Sequence, residues 1–171
     1  MLRTETIPLE VVGHGAHRAV PLPTGPRRTA SGYADPVAWL VADTVAEALR
    51  DAGRVVVGSG RDIGVLAVSE YATRPTMGLV AAGAGRGRVS PMRFAAANPG
   101  SIAGLACIEH RLRGPSLMLS MPPGAARPVA TALLCGWLSS GACRYAVLSE
   151  HERHPAGTHS VHSWVFRDRS R

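Results

Sequence analysis

Four histidines near the C-terminus have a spacing that could hold a metal ion. His151, His154, His159 and His162 form the pattern H-x2-H-x4-H-x2-H, and histidine is the commonest metal ligand in proteins. Zinc sites usually show tighter ligand pairs, often with cysteine, and no cysteine lies in this segment. The preferred interpretation is a polar loop at residues 151–160 with solvated histidines, so the sequence predicts neither a metal nor another cofactor.

Three cysteines, Cys107, Cys135 and Cys143, could supply a nucleophile. A reactive thiolate needs a nearby cation or histidine, and no histidine or aspartate is placed in sequence to activate any of them. Because cysteine is among the most buried residue types, we predict that the three pack in the core as thiols. An acyl-transfer or hydrolytic site that uses Ser120 or the four histidines is the alternative.

The positive charge of the chain is carried by arginine alone. The formal net charge is +7 and there is no lysine. Basic proteins often bind nucleic acid, but these arginines are scattered and few aromatic residues are available for base stacking, so nucleic-acid binding is not predicted.

Glycines at 81–88 lack the strand–GxxxxGK[ST]–helix context of a phosphate-binding loop. Residues 81–88 and 21–31 are therefore predicted as flexible loops.

The length and the hydrophobic pattern predict one α/β domain over residues 1–171. Asp35 and Pro36 form a helix start and Gly53 a helix stop. The predicted helices cover 35–53, 100–110 and 128–138, and the predicted strands cover 9–12, 54–57, 63–69, 117–120, 145–149 and 163–167. With 54–57 and 63–69 counted together as one strand, the order is β-α-β-α-β-α-β-β, a mixed sheet with helices packed on it. No apolar run approaches the roughly 20 residues of a membrane span, and no apolar signal segment is present, so a cytoplasmic location is expected.

Five short motifs, in order, resemble the β-ketoacyl synthase family. They are A-L-x-D-A-G at 48–53, R-x-[VI]-S-P at 88–91, P-N-x-x-A-G at 98–104, G-L-[RK]-G-P at 111–115 and the strand after a Ser-Gly pair at 145–150. The resemblance implies the N-terminal half of a thiolase-like fold. In that family the G-P turn leads into a strand ending V-S-T-A-C, whose cysteine carries the acyl chain.

The resemblance also implies that the nucleophile is missing. Counting forward from Gly114 places its position at Pro123, and counting back from Ser140 places it at Gly124. Neither side chain is a nucleophile. The family's second half supplies two histidines and a lysine, and this chain has no lysine. The resemblance therefore implies a non-catalytic pseudoenzyme similar to the chain-length factors that pair with active ketosynthases.

The strand after the G-P turn pairs across the dimer axis in this family. The resemblance thus implies an interface that contains Leu117, Met118, Leu119, Ser120, Met121, Asn98 and Ile102. The hypothesis is an accessory subunit of polyketide or fatty-acid biosynthesis that dimerises with itself or with an active ketosynthase and helps to shape the acyl-chain site. An acidic acyl carrier protein is a further candidate partner, because arginines would steer it. A homodimeric module that binds a small hydrophobic molecule is the third hypothesis.

Overall fold

A five-stranded mixed sheet forms the centre of the computed structural model, which describes residues 9–22, 34–53, 56 and 62–170. Within these ranges the strands are β1 (Leu9–Ala19), β2 (Ile63–Ser69), β3 (Ser116–Leu119), β4 (Tyr145–Arg153) and β5 (His159–Asp168). The helices are α1 (Pro36–Asp51), α2 (Arg74–Ala84), α3 (Pro91–Ala96), α4 (Ser101–His110) and α5 (Pro123–Ser139). In the described part of the chain, no helix is long and apolar enough to cross a membrane.

The strand order is β1-β5-β4-β2-β3. β2 pairs in parallel with both β3 and β4, whereas β5 is antiparallel to β4 and to β1. The predicted mixed α/β sheet is confirmed. Because β2, β3 and β4 are parallel, their carboxyl ends meet at one end of the sheet, where open α/β sheets commonly bind ligands.

Helices cover the two faces of the sheet and create two cores. On one face, α1 and α4 pack over β2, β4 and β5, and Val37, Val41 and Val45 of α1 are fully buried. On the other face, α5 packs with its buried Ala130 and Leu134 against β2 and β4. β2 is buried along all seven residues, which explains its continuous apolar sequence.

Several predicted boundaries are wrong because strand pairing extends past the apolar runs. β1 continues to Ala19, β4 continues to Arg153 and β5 already begins at His159. Half of the loop predicted at 151–160 is therefore strand, and residues 154–158, which include a turn of 3-10 helix at Pro155–Gly157, separate β4 from β5. α5 begins at Pro123 rather than at residue 128, and Pro128 lies within its early turns.

Two helices were not predicted. α2 covers residues 81–84, so the prediction of a flexible loop at 81–88 is wrong for its first half, and turns follow at 85–87. α3 occupies the segment just after the Arg88–Pro91 motif. Most of the loop predicted at 21–31 and of the strand predicted at 54–57 lies outside the described residues, and Val56 lies in a turn.

A close backbone approach fixes the turn before β3. The Gly114 N–H donates to the carbonyl oxygen of Ile63 at 3.0 Å, and the Val65 N–H donates to that of Pro115 at 2.8 Å. A Cβ atom on Gly114 would lie 2.5 Å from the backbone carbonyl of Ile63. We expect Gly114→Ala to lower the free energy of unfolding by about 2 kcal/mol, because the turn or β2 must move, as measured by urea denaturation.

Gly104→Ala is the matched control for this substitution. Gly104 lies within α4, and a Cβ atom there would meet nothing within 4 Å. Alanine should raise the free energy of unfolding by about 0.5–1 kcal/mol, because it restricts the unfolded backbone and favours the helix. Equal effects of the two substitutions would contradict the close approach at Gly114.

Candidate functional site

A cavity of about 330 Å³ lies where the parallel strands end. It is bounded by residues that follow β2, by the end of β4 and by the N-terminus of α5. This is the end of the sheet at which ligands are expected, and the cavity is lined by charged, histidine and tyrosine side chains. Its lining residues are Glu70, Tyr71, Arg74, Pro122, Pro123, His151, Glu152, Arg153 and His154.

A second cavity of about 330 Å³ lies at the opposite end of the sheet. It is lined by Asp62, Cys143 and Arg144, which lie at or just before the amino ends of β2 and β4, and by Arg167 and Asp168 at the end of β5. This position is far from the β3–α5 junction. The cavity at the carboxyl ends is therefore the better candidate site.

The junction between β3 and α5 holds the two residues predicted at the nucleophile position. Pro123 is the first residue of α5 and is buried, whereas Gly124 is exposed. The Pro122 carbonyl oxygen accepts hydrogen bonds from the N–H groups of Ala125 and Ala126 at 3.1 and 3.0 Å. Neither Pro123 nor Gly124 offers a group that could attack a carbonyl or transfer a proton.

A buried chain of hydrogen bonds crosses three strands beside this junction. The Ser69 Oγ lies 2.7 Å from Nδ1 of His151, and Nε2 of His151 lies 2.9 Å from Nδ1 of His159. The three side chains come from the ends of β2 and β4 and from the start of β5. Ser69 and His151 are at most 1 % exposed and His159 is 4 % exposed.

Two proton arrangements satisfy this chain, because the Ser69 Oγ, which accepts from the N–H of Ala72 at 2.8 Å, has a second lone pair and one hydrogen. In one arrangement the Ser69 hydroxyl donates to Nδ1 of His151, whose Nε2–H donates to Nδ1 of His159; in the other, Nδ1–H of His159 donates to Nε2 of His151, whose Nδ1–H donates to the Ser69 Oγ. Both imidazoles are neutral in either arrangement, and we call the three side chains the serine–histidine array.

Burial holds both histidines of the array in the neutral form. Desolvation lowers the pKa of His151 to about 3, and the neighbouring His159 and His154 add to the shift. Desolvation also lowers the pKa of His159, with help from the positive charge of Arg153 and from His154. The array can therefore orient hydrogen bonds at neutral pH, but it does not supply a positive charge.

The four histidines of the predicted cluster separate into different groups. His151 and His159 form the array, and His154 Nε2 lies 2.6 Å from the Ser160 Oγ. His162 Nδ1 lies 3.3 Å from Nε2 of His14. The expectation of solvated loop histidines is wrong for His151 and His159, because both are buried. Among the described residues, no group of three or more histidine, cysteine or acidic side chains could hold a metal ion.

Cysteines and Ser120 are poorly placed for nucleophilic attack. Burial raises the pKa of Cys107 to about 11 and also raises that of Cys143, so both remain thiols at neutral pH. Cys135 is buried within α5. Ser120 is exposed after β3, and its hydroxyl has no histidine partner among the described residues. Ser69, which was not among the predicted site residues, is a buried serine that contacts a buried histidine, His151.

The predicted interface residues lie mainly at a sheet edge. β3 pairs with β2 and forms one edge of the described sheet, and its Leu117 is 39 % exposed. Met118, Leu119 and Met121 are half-buried, and Ser120 and Asn98 are exposed. Asn98 Oδ1 also accepts from the N–H of Gly100 at 2.8 Å, at the start of α4.

Ile102 is a correction to the predicted interface. Its side chain is fully buried in the core beneath α1 and α4, so it cannot contact a partner. Ile108 of the same helix is 69 % exposed, and α4 contacts β3. Ile108 is therefore the α4 residue that can extend an apolar surface from the β3 edge.

A family model of the β-ketoacyl synthase N-terminal domain matches residues 25–149. The chain belongs to this family. No curated protein sequence matches it. The matched segment of this ketosynthase domain extends from before α1 to the middle of β4, and it therefore includes the β3–α5 junction and Ser69.

Solved ketosynthase structures share the fold of this domain. The ishigamide ketosynthase/chain length factor superposes with a TM-score of 0.66 at 16 % identity, over 85 % of this chain and 46 % of that chain. A type II polyketide synthase acyl-carrier protein in complex with its ketosynthase bound to the hexaketide gives a TM-score of 0.70 at 11 % identity, over 96 % of this chain and 64 % of that chain. The Xenorhabdus doucetiae ketosynthase in complex with its chain length factor gives a TM-score of 0.62 at 12 % identity, over 94 % of this chain and 79 % of that chain. The ketosynthase domain thus spans about half to two thirds of the first two of these chains.

Proposed function

We propose that this chain is a non-catalytic ketosynthase-like accessory subunit in polyketide or fatty-acid-type biosynthesis. The observation that carries the proposal is the β3–α5 junction, where Pro123 and Gly124 occupy the nucleophile position and neither has a nucleophilic side chain. The family membership supplies the scaffold of a condensing enzyme, whereas the cysteines of this chain are protonated or buried away from that junction. The chain would then contribute structure to an acyl-chain site and leave covalent chemistry to a partner.

The proposed partner is an active ketosynthase or a second copy of this chain. The exposed backbone edge of β3 can add a strand from a partner, and Leu117 and Ile108 add apolar contact area beside it. Two of the similar structures are ketosynthases together with chain length factors, and a third contains an acyl-carrier protein. An acyl carrier protein is a second proposed partner, for which the chain's net charge of +7 would favour association.

Co-expression with a ketosynthase encoded beside this protein tests the proposal. We expect a mixed complex whose solution mass equals one copy of each chain. Leu117→Asp should weaken it at least tenfold, because a carboxylate would be placed at the apolar edge of β3. Val11→Asp is the matched control, since Val11 is 51 % exposed on β1 at the opposite edge of the sheet, and it should leave the complex unchanged.

The alternatives give different results in the same experiment. A homodimer that does not bind the ketosynthase but is dissociated by Leu117→Asp would favour a stand-alone binding module. A monomer in all mixtures, or a complex insensitive to Leu117→Asp, would contradict the proposed interface.

A further inference from the structure

Two arginine side chains converge on one aromatic ring in the candidate site. The guanidinium carbon of Arg74 lies 5.8 Å from the centre of the Tyr71 ring, and that of Arg153 lies 5.3 Å from it. Both arginines line the cavity at the carboxyl ends of the strands. Neither forms an ion pair with any of the described residues. The ring attracts each cation, but it does not neutralise the repulsion between them.

Of the two acidic residues that line the cavity, Glu152 lies on the opposite face of β4 from Arg153. Alternate residues of a strand point to opposite faces, and His151 and Arg153 share the face of β4 that carries the core beneath α1. Glu152 shares the opposite face with Glu150, which lies 3.7 Å from Arg127 of α5. Glu70 lies in the bend just after β2 and is exposed. The Glu152 carboxylate thus lies on the side of α5, across β4 from the arginine of the adjacent position.

The serine–histidine array forms a neutral boundary on the side of the arginines. His151 lines the cavity, and Tyr71 packs edge-on against His159 with ring centres 5.1 Å apart. Because both ring nitrogens of His151 are bonded within the array, this histidine packs near Tyr71 without competing for a ligand. The two guanidinium groups are the cations beside the Tyr71 ring, and neither is paired with a described carboxylate.

We propose that Arg74, Arg153 and Tyr71 form a binding site for a small oxyanion, either a carboxylate or a phosphate group. Guanidinium groups bind these anions through paired, charge-assisted hydrogen bonds, and the Tyr71 ring holds both groups at the cavity wall. The volume of about 330 Å³ is at the lower end of the range for small-molecule sites, about 300–1,000 Å³. The site goes beyond the proposed accessory function, because it requires only this chain and no ketosynthase.

Titration calorimetry at low ionic strength, with sodium phosphate and sodium acetate as separate probes and sodium chloride as the blank, tests the site. We expect saturable binding of one of the two oxyanions with a millimolar or lower Kd, and the better probe identifies the ligand class. Arg153→Gln and Arg74→Gln should each weaken binding at least tenfold. Arg50→Gln removes the same charge from the exposed end of α1 and should change the Kd less than twofold.

A second measurement separates binding from unfolding of a variant. Arg153 is the cross-strand neighbour of His159, so the bound oxyanion should shift the imidazole NMR signals of His159 in the unmodified protein. Absence of saturable binding by either probe would overturn the proposal. So would an equal loss of affinity in Arg50→Gln and Arg153→Gln, because the binding would then reflect only the net positive charge.

Discussion

Asp35→Ala is expected to lower the free energy of unfolding by about 3 kcal/mol. The Asp35 side chain is fully buried, and its carboxylate accepts three hydrogen bonds: one from the Val37 N–H at 2.8 Å and two from Thr76, from its N–H at 3.1 Å and its hydroxyl at 2.7 Å. Alanine would leave three buried donors without a partner, and each such group costs about 1–3 kcal/mol before relaxation.

The consequence of this substitution reaches the candidate site. Asp35 caps α1 and also binds Thr76 in the first turn of α2, so it fixes the two helix starts relative to each other. Arg74 is the first residue of α2. We therefore expect Asp35→Ala to weaken oxyanion binding as well as the fold, whereas changes at the far end of α2 should not.

Ser90→Ala provides the control for the loss of a helix cap. Ser90 caps the six-residue helix α3 through one hydrogen bond of 3.4 Å from the Arg93 N–H at the surface. Its removal should lower the free energy of unfolding by less than about 1 kcal/mol. Urea denaturation of the two variants measures both effects, and a loss of under 1 kcal/mol in Asp35→Ala would show that Asp35 does not join the helices.

The same residue illustrates what sequence reasoning could establish. Asp35, Pro36 and Gly53 predicted the limits of α1, because capping depends on a few local residue types. The link from Asp35 to Thr76 spans 41 positions and has no local signal. α2 was missed because Pro75, Gly78 and Gly83 weaken its helix signal, and it buries only Thr76.

The serine–histidine array was missed because the paired strands β4 and β5 extend beyond their apolar runs. Strand prediction from apolar runs stopped at Ser149 and began again at Ser163, whereas the paired strands continue through His151 and from His159. A signal was present in β5, since His159, Val161, Ser163 and Val165 alternate and are all buried. The motifs around Gly114 succeeded because a backbone approach restricts the residue type directly.

His151 creates a pH dependence of stability with a definite sign. Its pKa is about 3 in the folded protein because of burial and the neighbouring His159 and His154, and it is near 6.5 in an unfolded chain. Between these two values the unfolded state binds one more proton than the folded state. Stability is therefore complete above about pH 6.5 and is lost as the pH falls towards 3.

The expected loss at pH 5 relative to pH 8 is about 2 kcal/mol from His151 alone. His159 acts in the same direction, because burial and Arg153 also lower its pKa. Asp35 acts in the opposite direction at lower pH, since burial raises its pKa against the hydrogen bonds from Thr76 and Val37. Urea denaturation at pH 5, 6, 7 and 8 keeps the measurement in the range where the histidines dominate.

His151→Gln isolates the contribution of the array. Glutamine does not titrate, so the difference in unfolding free energy between pH 8 and pH 5 should shrink by about 2 kcal/mol even if the variant is less stable at every pH. The comparison uses the change with pH and not the absolute stability, so a loss of packing energy that is equal at every pH cancels from the result. An unchanged pH dependence in His151→Gln would mean that this imidazole becomes protonated in the folded protein, and that burial does not keep the array neutral.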